Sequence, residues 1–288
     1  MDVIINPAAR RGKAKAIAET VLAELGRRSI AVDARYTDGP GHAADMARDL
    51  ALSGAERVLC VGGDGTVSEV MSGVAGTETK VGVIPAGTGD DFARTLGLPK
   101  QPLPALETAL GGRCRTLDIG YANDRAFVNA AGLGFDVAVL RAVLRYKRVV
   151  SGLAAYLLGV VDTLFHYRGV RIKLESADGD RSVHEALLVA VANGRFFGGG
   201  MCVAPPAIPD DGLFDVILVD RIPRWKVPFL LGFFVKGRHM GWAIVHHSHC
   251  REIRITASDS SLQLDGEIFS EQSVRFRLRP GAVRTIVG

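Results

Sequence analysis

Residues 58–67 read Val58-Leu59-Cys60-Val61-Gly62-Gly63-Asp64-Gly65-Thr66-Val67: an apolar run, a glycine-rich turn, and the first apolar residue beyond that turn. An unbroken apolar strand is the mark of burial on both faces, the habit of parallel sheets covered by helices. The glycines let backbone N–H groups approach a polyanion closely, and a helix beginning near Val67 adds the favourable dipole of its N-terminus. The turn lacks the lysine-serine/threonine ending of a Walker loop and the spacing of a dinucleotide fingerprint. A tight strand-to-helix turn without ligand is the plainer reading, but Asp64 and Thr66 in the same turn favour a phosphate cradle.

The same alternation continues on both sides. Strands are predicted at residues 3–6, 31–36, 57–61 and 80–84, and helices at 13–28, 42–52, from 67 onward and at 103–110. After Asp118 the texture changes. Strands at 126–130, 170–176, 183–192, 214–219, 252–257, 261–265 and 274–278 follow without a helix between each pair, interrupted by helical insertions at 136–167 and 224–242. The expected fold is an α/β N-terminal nucleotide-binding domain with a parallel sheet, residues 1–122, and a β-rich antiparallel sandwich-like C-terminal domain, residues 123–288. The last residues have the option of packing back on the first domain.

Pro85-Ala86-Gly87-Thr88-Gly89-Asp90-Asp91-Phe92-Ala93-Arg94 forms a second strand-to-helix junction, and in a parallel sheet both junctions open at the carboxyl ends of strands, where ligands gather. Asn6-Pro7-Ala8-Ala9-Arg10-Arg11-Gly12-Lys13 follows the first strand at the same edge and supplies cations. Bare carboxylates at Asp64 and Asp91 would oppose phosphate at close range, a conflict that a divalent cation resolves. Asp118 can reach the same cleft, so the three are expected to hold Mg²⁺ directly or through its waters. Helix capping accounts for Asp90 more readily than for Asp91.

Together these motifs, with Ser68-Glu69-Val70, Asp118-Ile119-Gly120 and Leu264-Asp265-Gly266-Glu267, resemble the diacylglycerol kinase catalytic-domain family, which includes bacterial lipid kinases, sphingosine kinases and ceramide kinases. The resemblance spans nearly the whole chain, with the motifs in order. It implies an ATP site lined by Asn6, Pro7, Ala8, Ala9, Arg10, Thr37, Gly63, Asp64, Gly65, Thr66, Val67, Ser68, Glu69 and Thr88. It also implies a magnesium network on Asp64, Asp91 and Asp118, and a general base at Asp265 or Glu267 facing an acceptor hydroxyl. A hairpin turn is the plainer reading of Asp265-Gly266-Glu267. Bacterial members bind a structural magnesium at positions matching the carbonyls of Ile208 and Leu213 and the carboxylate of Asp211, where an Asp-Gly turn would also serve without metal. Many members carry asparagine where this chain has Asp90. The implied activity is transfer of the γ-phosphoryl group of ATP to a lipid hydroxyl. The alternatives are an NAD kinase or other soluble-acceptor kinase, and a nucleotide-binding regulator without turnover.

Composition sets the outer bounds. Of 288 residues 48% are hydrophobic and 23% charged, which excludes disordered, collagenous and coiled-coil chains. A net charge of +4 implies no nucleic-acid partner and suits an anionic substrate or membrane surface. Cys60, Cys114, Cys202 and Cys250 lie far apart, with neither disulfide-framework nor zinc-knuckle spacing, which fits a reducing cytoplasm. No secretory signal is read at the start of the chain, and the longest apolar run, 152–161, is too short to span a bilayer. A lipid substrate therefore implies work from the water side, at the inner membrane surface. Arg141, Arg145, Lys147 and Arg148, and then Arg224, Lys226, Lys236 and Arg238 beside Trp225, Phe229, Phe233, Phe234 and Trp242, suit transient membrane contact or a core with a wet rim. In His246-His247-Ser248-His249-Cys250 strand alternation brings no more than two side chains to one ion, so no metal site is expected there. Oligomeric state is left open, a dimer included.

Overall fold

Four parallel strands begin the computed structural model, which describes residues 1–146, 150 and 153–288. They are β1 (Asp2–Ile5), β2 (Asp33–Tyr36), β3 (Arg57–Gly62) and β4 (Lys80–Pro85), connected through α1 (Lys13–Arg27), α2 (His42–Leu52) and α3 (Asp64–Val74). Their order is β2-β1-β3-β4. After its first residue β3 is buried throughout, because helices cover both faces. Helix α1 buries Ala14, Ala18, Val21 and Leu25, one stripe at three- and four-residue spacing. It shares one side of the sheet with α5 (Pro102–Gly111), which follows the short α4 (Asp91–Thr95), while α2 and α3 pack on the other.

The long strand β5 (Arg113–Ala122) leaves this unit. Then come β6 (Arg125–Phe127), β7 (Ala130–Gly134), α6 (Phe135–Tyr146), α7 (Leu153–His166), β8 (Val170–Ser176), β9 (Arg181–Ala192), β10 (Phe196–Phe197), β11 (Met201–Cys202) and β12 (Phe214–Asp220). The chain finishes with α8 (Val227–Val235), β13 (Val245–Cys250), β14 (Glu252–Ala257), β15 (Ser261–Leu264), β16 (Glu267–Ser270) and β17 (Ser273–Val287). Antiparallel pairing gives the order β16-β15-β7-β9-β8-β14-β17, with β12 and then β13 branching from β9. Phe127 stacks on Phe214 with centroids 5.6 Å apart and meets Phe276 edge-on at 6.2 Å, filling one face of this sheet. Residues of α6 and α8 cover the other.

The differences from the sequence reading have local causes. The strand expected at 126–130 breaks in two because the amides of Val128, Asn129 and Ala130 turn to a carboxylate, that of Asp265, instead of a neighbouring strand. The helix expected at 224–242 is confined to a 3-10 turn at Arg224–Lys226 and α8, and β13 is an addition to the predicted strands. The strand expected at 274–278 runs on to Val287. It pairs antiparallel with β14 and β5, bulges between Arg279 and Val283, and then sets Arg284–Ile286 parallel to Lys80–Gly82 of β4. The buried Thr285 hydroxyl donates to the Val81 carbonyl at 2.9 Å, fixing that last pairing. Lys147, Arg148 and Gly152 lie outside the described residues. No described helix is long and apolar enough to cross a membrane.

Candidate active site

The two glycine turns meet at their backbones. A Cβ on Gly63 would stand 3.0 Å from the Gly87 Cα, and one on Gly87 would stand 2.6 Å from the Gly63 Cα, so larger residues would part the loops. The Ala86 N–H donates to the Gly62 carbonyl at 2.8 Å, closing the junction. Asn6 ties in the loop after β1. Its side-chain amide donates to Thr66 Oγ1 at 2.9 Å, while its Oδ1 accepts the Ala8 N–H at 3.0 Å. Pro7, Ala8, Ala9 and Arg10 continue that rim, and Thr37 is buried at the end of β2, its N–H on the Ile5 carbonyl. Thr88 is exposed at the tip of the second loop.

Within the turn and the helix it opens, the side chains divide. Gly65 and Thr66 form the first turn of α3, and Val67 is buried in the hydrophobic core. Glu69 accepts the N–H groups of Gly41 at 2.8 Å and Ala43 at 3.1 Å, so it caps α2. Ser68 is turned toward Asp265.

Asp64 and Asp91 converge. Their Oδ2 atoms lie 3.1 and 3.3 Å from where a Cβ of Gly89 would stand. Asp64 Oδ1 accepts the Phe92 N–H at 3.0 Å, and Asp91 Oδ2 accepts the Gly199 N–H at 2.8 Å, leaving Asp91 Oδ1 buried without a partner. Burial pushes the Asp64 carboxyl up, with backbone N–H groups of Phe92, Asp91 and Asp90 opposing. Burial, then the charge of Asp64, pushes Asp91 up to about 6. Two adjacent carboxylates, one with an orphaned oxygen, make a donor set that a hard divalent cation fits. Asp90 is the N-cap residue of α4, but its side chain does not cap the helix. Held at φ +51°, it accepts the Gly87 N–H at 2.8 Å, a conformation and a bond open to asparagine as well. Burial raises Asp90, while Arg10 and Arg94 act against that rise, which sets two cations near the loop.

Asp265, at φ +46°, is gripped from four sides. Its carboxylate accepts the N–H groups of Val128 at 2.8 Å, Asn129 at 3.0 Å and Ala130 at 2.9 Å, and the Ser68 hydroxyl. Glu267 is different. Its Oε1 lies 3.7 Å from where a Cβ of Gly65 would stand, and among the described residues its carboxylate has no hydrogen-bond partner. Although the residue as a whole is exposed, partial desolvation of its carboxyl end raises it, followed by the charges of Glu69 and Asp265. The turn thus holds one fixed carboxylate and one free to accept a proton. Asp265→Ala, which strands three N–H groups, is expected to destabilise the fold by about 3–5 kcal/mol and to lower Tm by roughly 10 °C in thermal melts.

Family models place the chain. The diacylglycerol kinase catalytic domain matches residues 1–122, and the YegS C-terminal NAD kinase beta sandwich-like domain matches 129–287. A protein named "Probable lipid kinase YegS-like" from Chromohalobacter salexigens is 32% identical over 86% of this chain and 81% of its own. The chain belongs to the diacylglycerol kinase and YegS-like lipid kinase family. A diacylglycerol kinase of Bacillus subtilis is 29% identical over 92% of this chain and 88% of its own. A diacylglycerol kinase crystal structure from Bacillus anthracis superimposes with a TM-score of 0.80 at 24% identity, covering 100% of this chain and 96% of that one, a likeness of fold.

In this lipid kinase family member Asp118 is held by backbone N–H groups from two later segments of the chain. Its two oxygens accept the N–H groups of Gly212 and Gly281, each at 2.8 Å, and the acidic neighbours acting on it are Asp211 and Asp210. It therefore joins the end of β5 to the 208–213 turn and to the β17 bulge. In that turn the Asp211 N–H reaches the Ile208 carbonyl at 3.4 Å, and Asp211 Oδ1 accepts the Leu213 N–H at 3.0 Å, which gathers the three positions of the second implied metal site.

Several residues to which the motifs assign no role also belong to the cleft. Arg94 reaches the Gly89 carbonyl at 3.3 Å, and its Nε is buried without a partner. Gly198, Gly199 and Gly200 all have φ between +71° and +106°, conformations that present the Gly199 N–H to Asp91. Asp136, at the start of α6, is the least anticipated. Neither oxygen reaches hydrogen-bonding geometry, although the Gln263 amide and the Val137 N–H are near. Gln263 in turn accepts the Gly266 N–H at 2.8 Å, next to Glu267.

Burial pushes Asp136 up from 3.8 to about 7. The unfolded carboxyl loses its proton near the lower value and the folded one near the higher, so stability falls as pH rises between them. Asp136→Asn is expected to be a few kcal/mol more stable than the wild type at about pH 8, the difference closing toward about pH 4 in urea unfolding. A constant difference across that window would contradict the ionisation.

Proposed function

We propose that this chain transfers the γ-phosphoryl group of ATP to a lipid hydroxyl in the cleft bounded by the two glycine turns and the Asp265-Gly266-Glu267 turn. The observation that carries the reading is that Asp64, Asp91 and Glu267 converge on those turns, two carboxylates sharing a site and a third left free. The rim residues Asn6, Pro7, Ala8, Ala9 and Arg10, with Thr37, the Gly63–Glu69 turn and Thr88, bind the nucleotide, Val67 and Glu69 by packing and capping. Asp64 and Asp91 would hold Mg²⁺, with Asp118 at one remove; when bound, the ion neutralises charge on the phosphates. Glu267 takes the proton as the acceptor hydroxyl bonds to the γ-phosphorus and the bond to the β-phosphate oxygen breaks, releasing ADP. A second Mg²⁺ fits the Ile208 and Leu213 carbonyls and the Asp211 carboxylate, oxygen donors suited to a hard cation.

Apart from the cleft residues, the second domain holds a cavity of about 350 Å³ lined by Phe135, Leu164, Tyr167, Arg168, Arg221 and Arg224, among others. Phe165, Trp225 and Phe229 are 70%, 67% and 66% exposed, and Lys226 lies over the Trp225 ring. Apolar residues among cations suit transient contact with an anionic leaflet, which supports work at the inner membrane surface. Sedimentation with anionic vesicles but not zwitterionic ones is expected, and equal sedimentation with both would contradict it.

The deciding experiment incubates the full chain with radiolabelled ATP and either a total lipid extract or NAD. Label in the organic phase is expected, and mass analysis of that product identifies the acceptor. Label on NAD alone would make it a soluble-acceptor kinase. Nucleotide binding without transfer to either would make it a regulator.

A further inference from the structure

On the far side of the second sheet from the phenylalanine cluster, two neighbouring strands bring together a carboxylate and two imidazoles that the kinase cleft does not use. Asp215 of β12 pairs in register with His249 of β13, and His247 stands two residues along on the same face, opposite Ile217. Their Nε2 atoms lie 3.1 Å (His249) and 2.6 Å (His247) from Asp215 Oδ1. All three ligand atoms fall within 4.8 Å of one another. The rings stand edge to face with centroids 4.4 Å apart.

We infer that Asp215, His247 and His249 form a binding site for a divalent transition-metal ion of the Zn²⁺ class. Strand alternation sends His246 to Asp220, so two of the three histidines do share a face, and the third ligand comes from the adjacent strand. Asp215 is only 1% exposed, and among the described residues no lysine or arginine pairs with it. Its charge is met by imidazoles, the commonest transition-metal ligands. Two nitrogens and one carboxylate oxygen favour a borderline ion over Mg²⁺ or Ca²⁺, which take oxygen ligands. Three protein ligands leave the fourth tetrahedral position open, and the half-exposed His249 side chain leaves it facing water. Binding would replace the present His247–Asp215 hydrogen bond with bonds from all three side chains to one ion, so the ion fastens the edge strand β13 onto β12.

The test uses the full chain, stripped with chelator and held in excess Mg²⁺ so that oxygen-ligand sites are filled. Zn²⁺ is titrated against a chromophoric competitor, and Co²⁺ substitution is followed by its visible tetrahedral band. One equivalent is expected, weakened at least tenfold in both His247→Ala and His249→Gln, with circular dichroism unchanged. His246→Ala, altered on the opposite face, should bind as the wild type does. The exposed His249→Gln keeps the test open should His247→Ala fold poorly. Absence of micromolar Zn²⁺ binding would overturn the assignment. So would binding that persists in both variants, which would put the ion on cysteines or on the cleft carboxylates.

Discussion

Glu267→Gln is expected to lower kcat for lipid phosphorylation by about 10²–10⁴-fold, the range ascribed to a positioned proton acceptor. Glutamine keeps the length and shape of the side chain, so nucleotide affinity should hold within about twofold while the limb of the pH–rate profile due to the base disappears. The choice of Glu267 over Asp265 follows from occupancy: three backbone N–H groups and Ser68 engage the Asp265 carboxylate, whereas that of Glu267 is unengaged among the described residues. Steady-state kinetics against lipid across pH would check this. A Glu267→Gln enzyme with wild-type kcat would remove Glu267 from the chemistry.

Asp64→Asn should cost on the order of 10³-fold in kcat, about 4 kcal/mol of transition-state stabilisation, and raise the Mg²⁺ concentration needed for half-maximal rate. The substitution isolates charge from architecture. The asparagine oxygen can still accept the Phe92 N–H that Asp64 Oδ1 now holds, so the start of α4 stays in place. Removing the Asp64 charge also lifts one of the influences that raise Asp91, whose carboxyl should then ionise at lower pH. Activity within tenfold of wild type at unchanged Mg²⁺ dependence would show that the carboxylate pair does not hold the ion.

The cleft is readable in the sequence wherever its chemistry is local. The apolar strand, the glycine turn and the second junction each carry their signal within ten residues, and the parallel alternation brings them to one edge. The rest depends on partners far along the chain. Asp118 stands out in the sequence only as a candidate ligand, while its hydrogen-bond partners are Gly212 and Gly281, which no spacing rule connects to it. Asp136 opens an amphipathic helix and looks like a first-turn acid; only the approach of Gln263 puts it behind the Glu267 turn. The histidine cluster, taken as a single strand, offers two ligands to one face, while its third sits across a strand pairing. Arg279-Pro280-Gly281 resembles a strand end, since proline and glycine interrupt ladders. Here they form a bulge that redirects the strand instead.

That redirection has a consequence for how the protein is made. Because Arg284–Ile286 supply the neighbour of β4, a ribosome that has released only the first 122 residues has not yet produced the segment that completes their sheet. Until residues 284–286 emerge, the β4 margin presents unpaired peptide groups to solvent, so residues 1–122 are expected to acquire protease resistance late, together with the second domain.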